Sequence, residues 1–98
     1  MQAMTRFGVV LRPELPPESV VEAARAADSA GVDEVWLWED CFFSGGITTA
    51  ATVLASTDRV NVGIGVLPTP LRNVAATAME VATLARLHHG RLRVGLGH

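Results

Sequence analysis

Four short apolar runs alternate along this chain with three longer stretches whose small and apolar residues recur at helical spacing. The first run, Phe7–Leu11, is β-branched at its centre and bounded by Arg12-Pro13, which predicts a strand buried on both faces, as parallel strands usually are. Pro13, Pro16 and Pro17 then enforce an extended turn. Glu18–Ala30 carries Val20, Ala24, Ala27 and Ala30 in helical phase, with Pro17 suited to the first turn and Gly31 to the left-handed position after the last. Ser19 and Glu22 also match a capping box, which would start the helix two residues later.

Glu34–Trp38 (EVWLW) predicts a second strand, and Glu39–Gly46 (EDCFFSGG) breaks the pattern with two acids, a thiol, two phenylalanines and a glycine pair. Thr48–Ser56 predicts a second helix, weakened by its threonines. Asn61–Leu67 (NVGIGVL) is a third strand with two glycines, stopped by Pro68-Thr69-Pro70. Asn73 is placed as the N-cap of a third helix from Val74 to His89, with Gly90 as its terminator. Leu92–Leu96 (LRVGL) is the fourth strand, followed by Gly97-His98.

Strictly alternating strands and helices with short connections argue for parallel strands joined by right-handed crossovers. Two α/β architectures fit: a (β/α)8 TIM barrel, or an open doubly wound sheet. The first strand-to-helix turn, LRPELPPES, contains no glycine, so the GxGxxG loop of a dinucleotide-binding sheet is missing, and no P-loop occurs. The barrel is favoured. Four strands do not close one, since closure takes about eight, and the chain stops directly after a strand. The expectation is a single incomplete domain over 1–98, the N-terminal half of a barrel.

Composition narrows the function. The chain is 49% hydrophobic and 18% charged, a globular balance. Its net charge of −2 gives a nucleic-acid partner no electrostatic footprint. No apolar run approaches the roughly 20 residues that span a bilayer, so no membrane partner is expected. Met1–Phe7 is too short and polar for a secretory signal. Cys41 is the single cysteine, which points to a reducing, cytoplasmic setting. All eight basic residues are arginine, which excludes lysine Schiff-base chemistry within this span. His88 and His89 are expected in the last turn of the third helix, complementing its dipole, and no metal-ligand spacing is convincing.

In either architecture ligands meet the carboxyl ends of the strands. That rule selects Arg12–Glu14, Glu39–Phe43, Gly65–Arg72 and Gly97–His98, which hold most of the unusual residues and are expected to converge on one cavity.

Glu39-Asp40-Cys41-Phe42-Phe43 after EVWLW, Gly63–Arg72 (GIGVLPTPLR) and Gly90–Gly97 (GRLRVGLG) together resemble, in order and spacing, the second, third and fourth strand segments of luciferase-like monooxygenases and deazaflavin-dependent reductases. The resemblance covers Arg6 to His98 and implies the opening part of a barrel that binds coenzyme F-420, a deazaflavin, with FMN as the alternative. It implies a bulge in the third strand with a non-proline cis peptide between Gly65 and Val66, backing the cofactor ring. Without the resemblance, the two glycines are read equally well as relieving crowding where helices pack on the strand. Asp40 matches an acidic position that contacts the cofactor's ring region; it can alternatively cap the following helix or pair with Arg72. Cys41 stands where some relatives have a histidine near the substrate, and a thiol titrating near pH ~8.5 is a poor neutral-pH base. Cys41 is therefore expected to be buried and inert. Asp40 and Cys41 are the catalytic candidates; Asp40, Gly65, Val66, Leu67, Thr69 and His98 are the cofactor-binding ones. Leu67 and Thr69 are placed at the ring edge through backbone groups and the threonine hydroxyl, and His98 near the ribityl or phosphate side. Phe42 and Phe43 serve either as apolar walls or as core, and Arg72 either meets an anionic group or makes a surface ion pair.

Three functions follow as expectations. The first is an oxidoreductase or monooxygenase acting on a small-molecule substrate, its full-length parent a homo-oligomer. The second is a truncated fragment without activity, prone to self-association through open sheet edges. The third, weaker, is a different barrel such as a phosphate-handling isomerase.

Overall fold

Strand β1 (Gly8–Val10) pairs with β2 (Glu34–Leu37), β2 with β3 (Asn61–Pro68), and β3 with β4 (Leu92–Gly97), all parallel. This is a computed structural model, and it describes residues 5–98; most of Met1–Phe7, read above for a secretory signal, lies outside the described residues. The strand order is the sequence order, β1-β2-β3-β4. Helices α1 (Pro17–Ala30), α2 (Gly46–Ser56) and α3 (Val74–Leu87) make the crossovers, α1 packing on α2 and α2 on α3. Doubly wound sheets reverse their order at a switch point and place helices on both faces. Here the order never reverses, which is the winding of a (β/α) barrel segment.

The register sorts side chains by face. Val9, Val35, Val62 and Leu92 stand abreast, as do Leu37, Ile64 and Val94, and these rows turn toward the helices. Val35, Val62 and Ile64 are fully buried together with Ala24, Ala50, Val53 and Leu54. At about 1.5–3 kcal/mol per large side chain taken out of water, the β2–α2–β3 centre holds most of the fold's apolar stabilisation. Helix α3 adds only Leu84 to the buried set. The intervening row, Val10, Trp36, Gly63 and Arg93, points to the opposite face, which no layer of described residues covers. Strand β1 is consequently not buried on both faces as its composition suggested: Val10 is 62% exposed.

Helix boundaries follow local hydrogen bonding. Helix α1 starts at Pro17 with Pro16 before it and no side-chain cap, so the Ser19/Glu22 box is not used; Gly31 closes it in the left-handed region at φ 86°. Asn73 caps α3, its Oδ1 accepting from the Ala76 N–H at 3.0 Å. That helix ends at Leu87 rather than His89, because the His88 N–H closes the last bond to Leu84 and the chain then turns. Arg86, not the two histidines, is the basic residue of its final turn.

The amino ends of the strands are tied by two side chains. Asp28, near the end of α1, accepts the N–H groups of Asp58, Arg59 and Val60 at 2.9, 3.0 and 2.8 Å. Arg91 donates to the carbonyls of Leu54, Thr57 and Val60 and to the Thr57 hydroxyl. Among the described residues no helix is long and apolar enough to cross a membrane.

Candidate functional site

The period-two alternation of β2 continues past its end. Val35, Leu37 and Glu39 share a phase, so Glu39 turns into the helix layer and is buried, while Trp36 and Trp38 turn to the open face. Its carboxylate is fully engaged. Oε2 accepts the Gly46 N–H at 2.6 Å, and Oε1 accepts from Arg72 Nε at 2.7 Å; a terminal nitrogen of Arg72 completes a two-pronged pair with Oε2. Gly46 is the first residue of α2, where free N–H groups and the helix dipole favour an anion. This explains why α2 begins at Gly46, ahead of the Thr48 its composition suggested. A Cβ at Gly46 would lie 3.1 Å from Leu67 and 3.3 Å from the Glu39 Cβ, so a larger residue would make those neighbours give way by a few tenths of an ångström. Burial pushes the Glu39 carboxyl up; the Arg72 and Gly46 bonds and the Arg72 charge outweigh it and hold the group below its ordinary 4.5.

Strand β3 is bulged beside this ion pair. Ile64 pairs with Val94 and Leu67 with Leu96, so three steps on β3 oppose two on β4. The extra residue leaves Gly65 and Val66 both exposed, with a cis peptide between them as the resemblance implied; a second cis peptide joins Cys41 and Phe42. The Val66 carbonyl accepts the Glu39 backbone N–H at 3.3 Å. Beyond Pro68 a single 3-10 turn, Thr69–Leu71, returns the chain so that Arg72 meets Glu39. The Thr69 hydroxyl donates to the Gly97 carbonyl at 3.1 Å, joining the β3 and β4 exits.

On the open face the Trp36 ring lies over Gly63 and against Gly65, and its Nε1 donates to Glu34 at 3.1 Å. Nearer the strand exits, the Arg12 guanidinium sits 5.7 Å from the Trp38 ring and donates to Glu14 at 2.5 and 3.0 Å. Val66 leans over Gly95 and Gly97, whose added Cβ atoms would stand 3.3 and 3.0 Å from its methyl groups. Apart from Val66 itself, this level of β3 and β4 carries no side chains at 65, 95 and 97, and so forms a flat, partly apolar ledge. A planar ring system fits such a ledge.

The expected site residues fall into distinct places. Gly65 and Val66 form the ledge, and Thr69 stands exposed beside it. Leu67 is fully buried, its side chain toward the helices, which leaves only its backbone for the open face. Asp40 is exposed in the turn after β2, where its carbonyl accepts the Phe43 N–H; the partner of Arg72 is Glu39, one residue earlier, because 39 and not 40 has the inward phase. Cys41, expected to be buried, is exposed in the same turn, beyond the last ladder pair of β2. Phe42 is 97% exposed and Phe43 also stands out, so neither is core. His98 is exposed at the β4 exit. Glu39 is the residue that sequence reasoning overlooked; its phase with Val35 and Leu37, and the Gly45-Gly46 pair after it, were the available signals.

An apolar hollow of about 60 Å³ lies behind the β3 exit, lined by Leu67, Thr69, Arg72, Val74, Thr77 and Leu96. It is far below the roughly 300 Å³ of small ligand pockets. Wider, open grooves of about 340 to 540 Å³ lie elsewhere, one of them lined by Glu39, Leu71, Arg72, Asn73, Ala76, Thr77 and Glu80. No group of three or more His, Cys, Asp or Glu among the described residues is arranged to hold a metal ion.

Comparison with known proteins agrees with the fold. Residues 2–98 match the family described as luciferase-like monooxygenase. The 5,10-methylenetetrahydromethanopterin reductase of Methanolobus tindarius is 33% identical over 92 residues, 93% of this chain and 28% of that protein. The coenzyme F-420 dependent tetrahydromethanopterin reductase of Methanopyrus kandleri superposes with a TM-score of 0.84 at 23% identity, over 97% of this chain and 27% of that one. The FMN-bound oxygenating component of 3,6-diketocamphane monooxygenase from Pseudomonas putida gives 0.86 at 19% identity, over 96% and 29%. These two structures establish the fold. The chain spans less than a third of the length of each of these three relatives.

Proposed function

The chain belongs to the luciferase-like monooxygenase family, and from that membership we propose that it builds the ring-facing wall of an oxidoreductase whose cofactor is the deazaflavin F-420. The observation that carries the reading is the bulge between Ile64 and Leu67, which sets Gly65 and Val66 out on the open face at the strand exits. When bound, the cofactor supplies hydride transfer, and the protein supplies binding, orientation and electrostatics.

Each residue then has a task. Gly65 and Val66 back the ring with main chain and two methyl groups. Thr69 and the Leu67 backbone edge it, the threonine hydroxyl being oriented by its bond to Gly97. Asp40, exposed and acceptor-only when ionised, receives hydrogen bonds from ring or ribityl donors. His98 serves the ribityl or phosphate side. Cys41 and Phe42 face the substrate volume, and the thiol contributes contact rather than base catalysis at neutral pH. The whole enzyme acts on a small molecule, as a homo-oligomer in the cytoplasm, where an exposed free thiol such as Cys41 is kept reduced. The 98-residue stretch alone is inactive, since its ledge has no cover.

Reduced FMN with oxygen, giving a monooxygenase, is the second reading, favoured by the structural match to an FMN-bound oxygenase. Titrating the enzyme that carries this stretch within its full barrel with each cofactor, followed by absorption and fluorescence, separates the two. Micromolar binding of F-420 over FMN supports the first reading, the reverse supports the second, and binding of neither refutes both.

A further inference from the structure

Among the described residues Glu39 is the buried carboxylate, and the proposed chemistry does not use it. Two of its three attachments have a common target. Through its backbone N–H it holds the Val66 carbonyl, inside the one stretch where the β3–β4 ladder is interrupted. Through Oε1 and Oε2 it holds Arg72, the residue at which the Thr69–Leu71 turn returns to the sheet. Through Oε2 it also holds the Gly46 N–H at the start of α2. Both ends of the segment 66–72 are thus referred to one residue, and that residue to a helix.

Resting on the cofactor reading above, we propose that Glu39 is a positioning residue: it clamps the bulged β3 exit at Val66 and Arg72, and so sets the height of the Gly65–Val66 ledge on which the ring lies. The rival is an ion pair that contributes stability and nothing else. Asp28 provides the comparison, because it binds three N–H groups at the opposite, amino end of the strands and touches nothing on the ledge.

The test uses the enzyme containing this stretch in its full barrel, with Glu39→Gln, Arg72→Lys and Asp28→Asn, and reads amide hydrogen exchange, melting temperature and the Kd for F-420 and FMN. Glu39→Gln and Arg72→Lys are expected to speed exchange across residues 64–72 and to weaken cofactor binding by about tenfold, or about 1.4 kcal/mol. Asp28→Asn is expected to lower the melting temperature and speed exchange near residues 57–60 while leaving the Kd unchanged. The clamp is overturned by unchanged exchange across 64–72 in Glu39→Gln, or by an equal loss of affinity in Asp28→Asn. Should Glu39→Gln fail to fold, Arg72→Lys decides by the same two readouts. If the unaltered enzyme binds neither cofactor, the functional reading falls, and exchange across 64–72 alone still decides the clamp.

Discussion

Trp36 and Gly63 are paired in register on β2 and β3, and the indole lies so close over the glycine that a Cβ there would stand 2.4 Å from its ring carbons. A Cβ at Gly65 would meet the same ring at 3.5 Å, an ordinary contact. Gly63→Ala therefore forces the rigid ring to move and is expected to cost about 1–3 kcal/mol, the usual range for overpacking. Gly65→Ala at the same ring should cost well under the Gly63 value. Urea unfolding followed by Trp36 fluorescence in a Trp38→Phe background measures both, and equal costs would contradict the geometry.

Removing the Glu39 carboxylate strands two partners, the Arg72 guanidinium and the Gly46 N–H. Breaking a buried pair from one side costs on the order of 3–5 kcal/mol. Arg72 keeps 19% side-chain exposure, so Glu39→Ala is expected near the lower end, about 3 kcal/mol. Denaturant midpoints check this; a loss no larger than that of an exposed ion pair, below about 1 kcal/mol, would count against burial of the pair.

Acid should loosen the same joint. The folded-state Glu39 carboxyl is held below its ordinary 4.5, so its contribution is fully present above that value and is lost as pH falls through the lower, folded one. Asp28, held down chiefly by the N–H groups it accepts, behaves likewise below its ordinary 3.8. Melting temperatures recorded from neutral pH downward are expected to fall less steeply in Glu39→Gln than in the unaltered protein. A curve of identical slope would show that Glu39 does not titrate as described.

Asn73→Ala removes the oxygen that accepts the Ala76 N–H and should cost about 1 kcal/mol, as for other N-caps. Because α3 buries little besides Leu84, the loss is expected as local fraying, seen by hydrogen exchange over residues 74–78 before any global change.

The order of elements and the parallel winding were legible because apolar periodicity, proline and glycine mark them directly. What escaped depended on neighbours. β1 has the composition of a fully buried strand, yet exposure of Val10 is decided by what covers the open face, which local sequence does not encode. The two β3 glycines look alike in sequence and do different things: Gly63 relieves crowding, though under Trp36 on the open face rather than under helices, and Gly65 enters the bulge. The alternative that pairs Asp40 with Arg72 falls one residue too late: Glu39 and Asp40 are chemically similar, and only the phase of β2 separates them. Cys41 is of a residue type usually buried, whereas its exposure follows from standing in a turn past the last ladder pair.

Sequential winding has a consequence for assembly on the ribosome. Every strand here pairs with the one made just before it, so no contact among β1, β2, β3 and β4 waits for chain synthesised later. Glu39 meets Arg72 and Val66, and Thr69 meets Gly97, across separations of at most 33 residues, all within this stretch. Every partner in this sheet and at its exits is thus on hand once Gly97 has emerged.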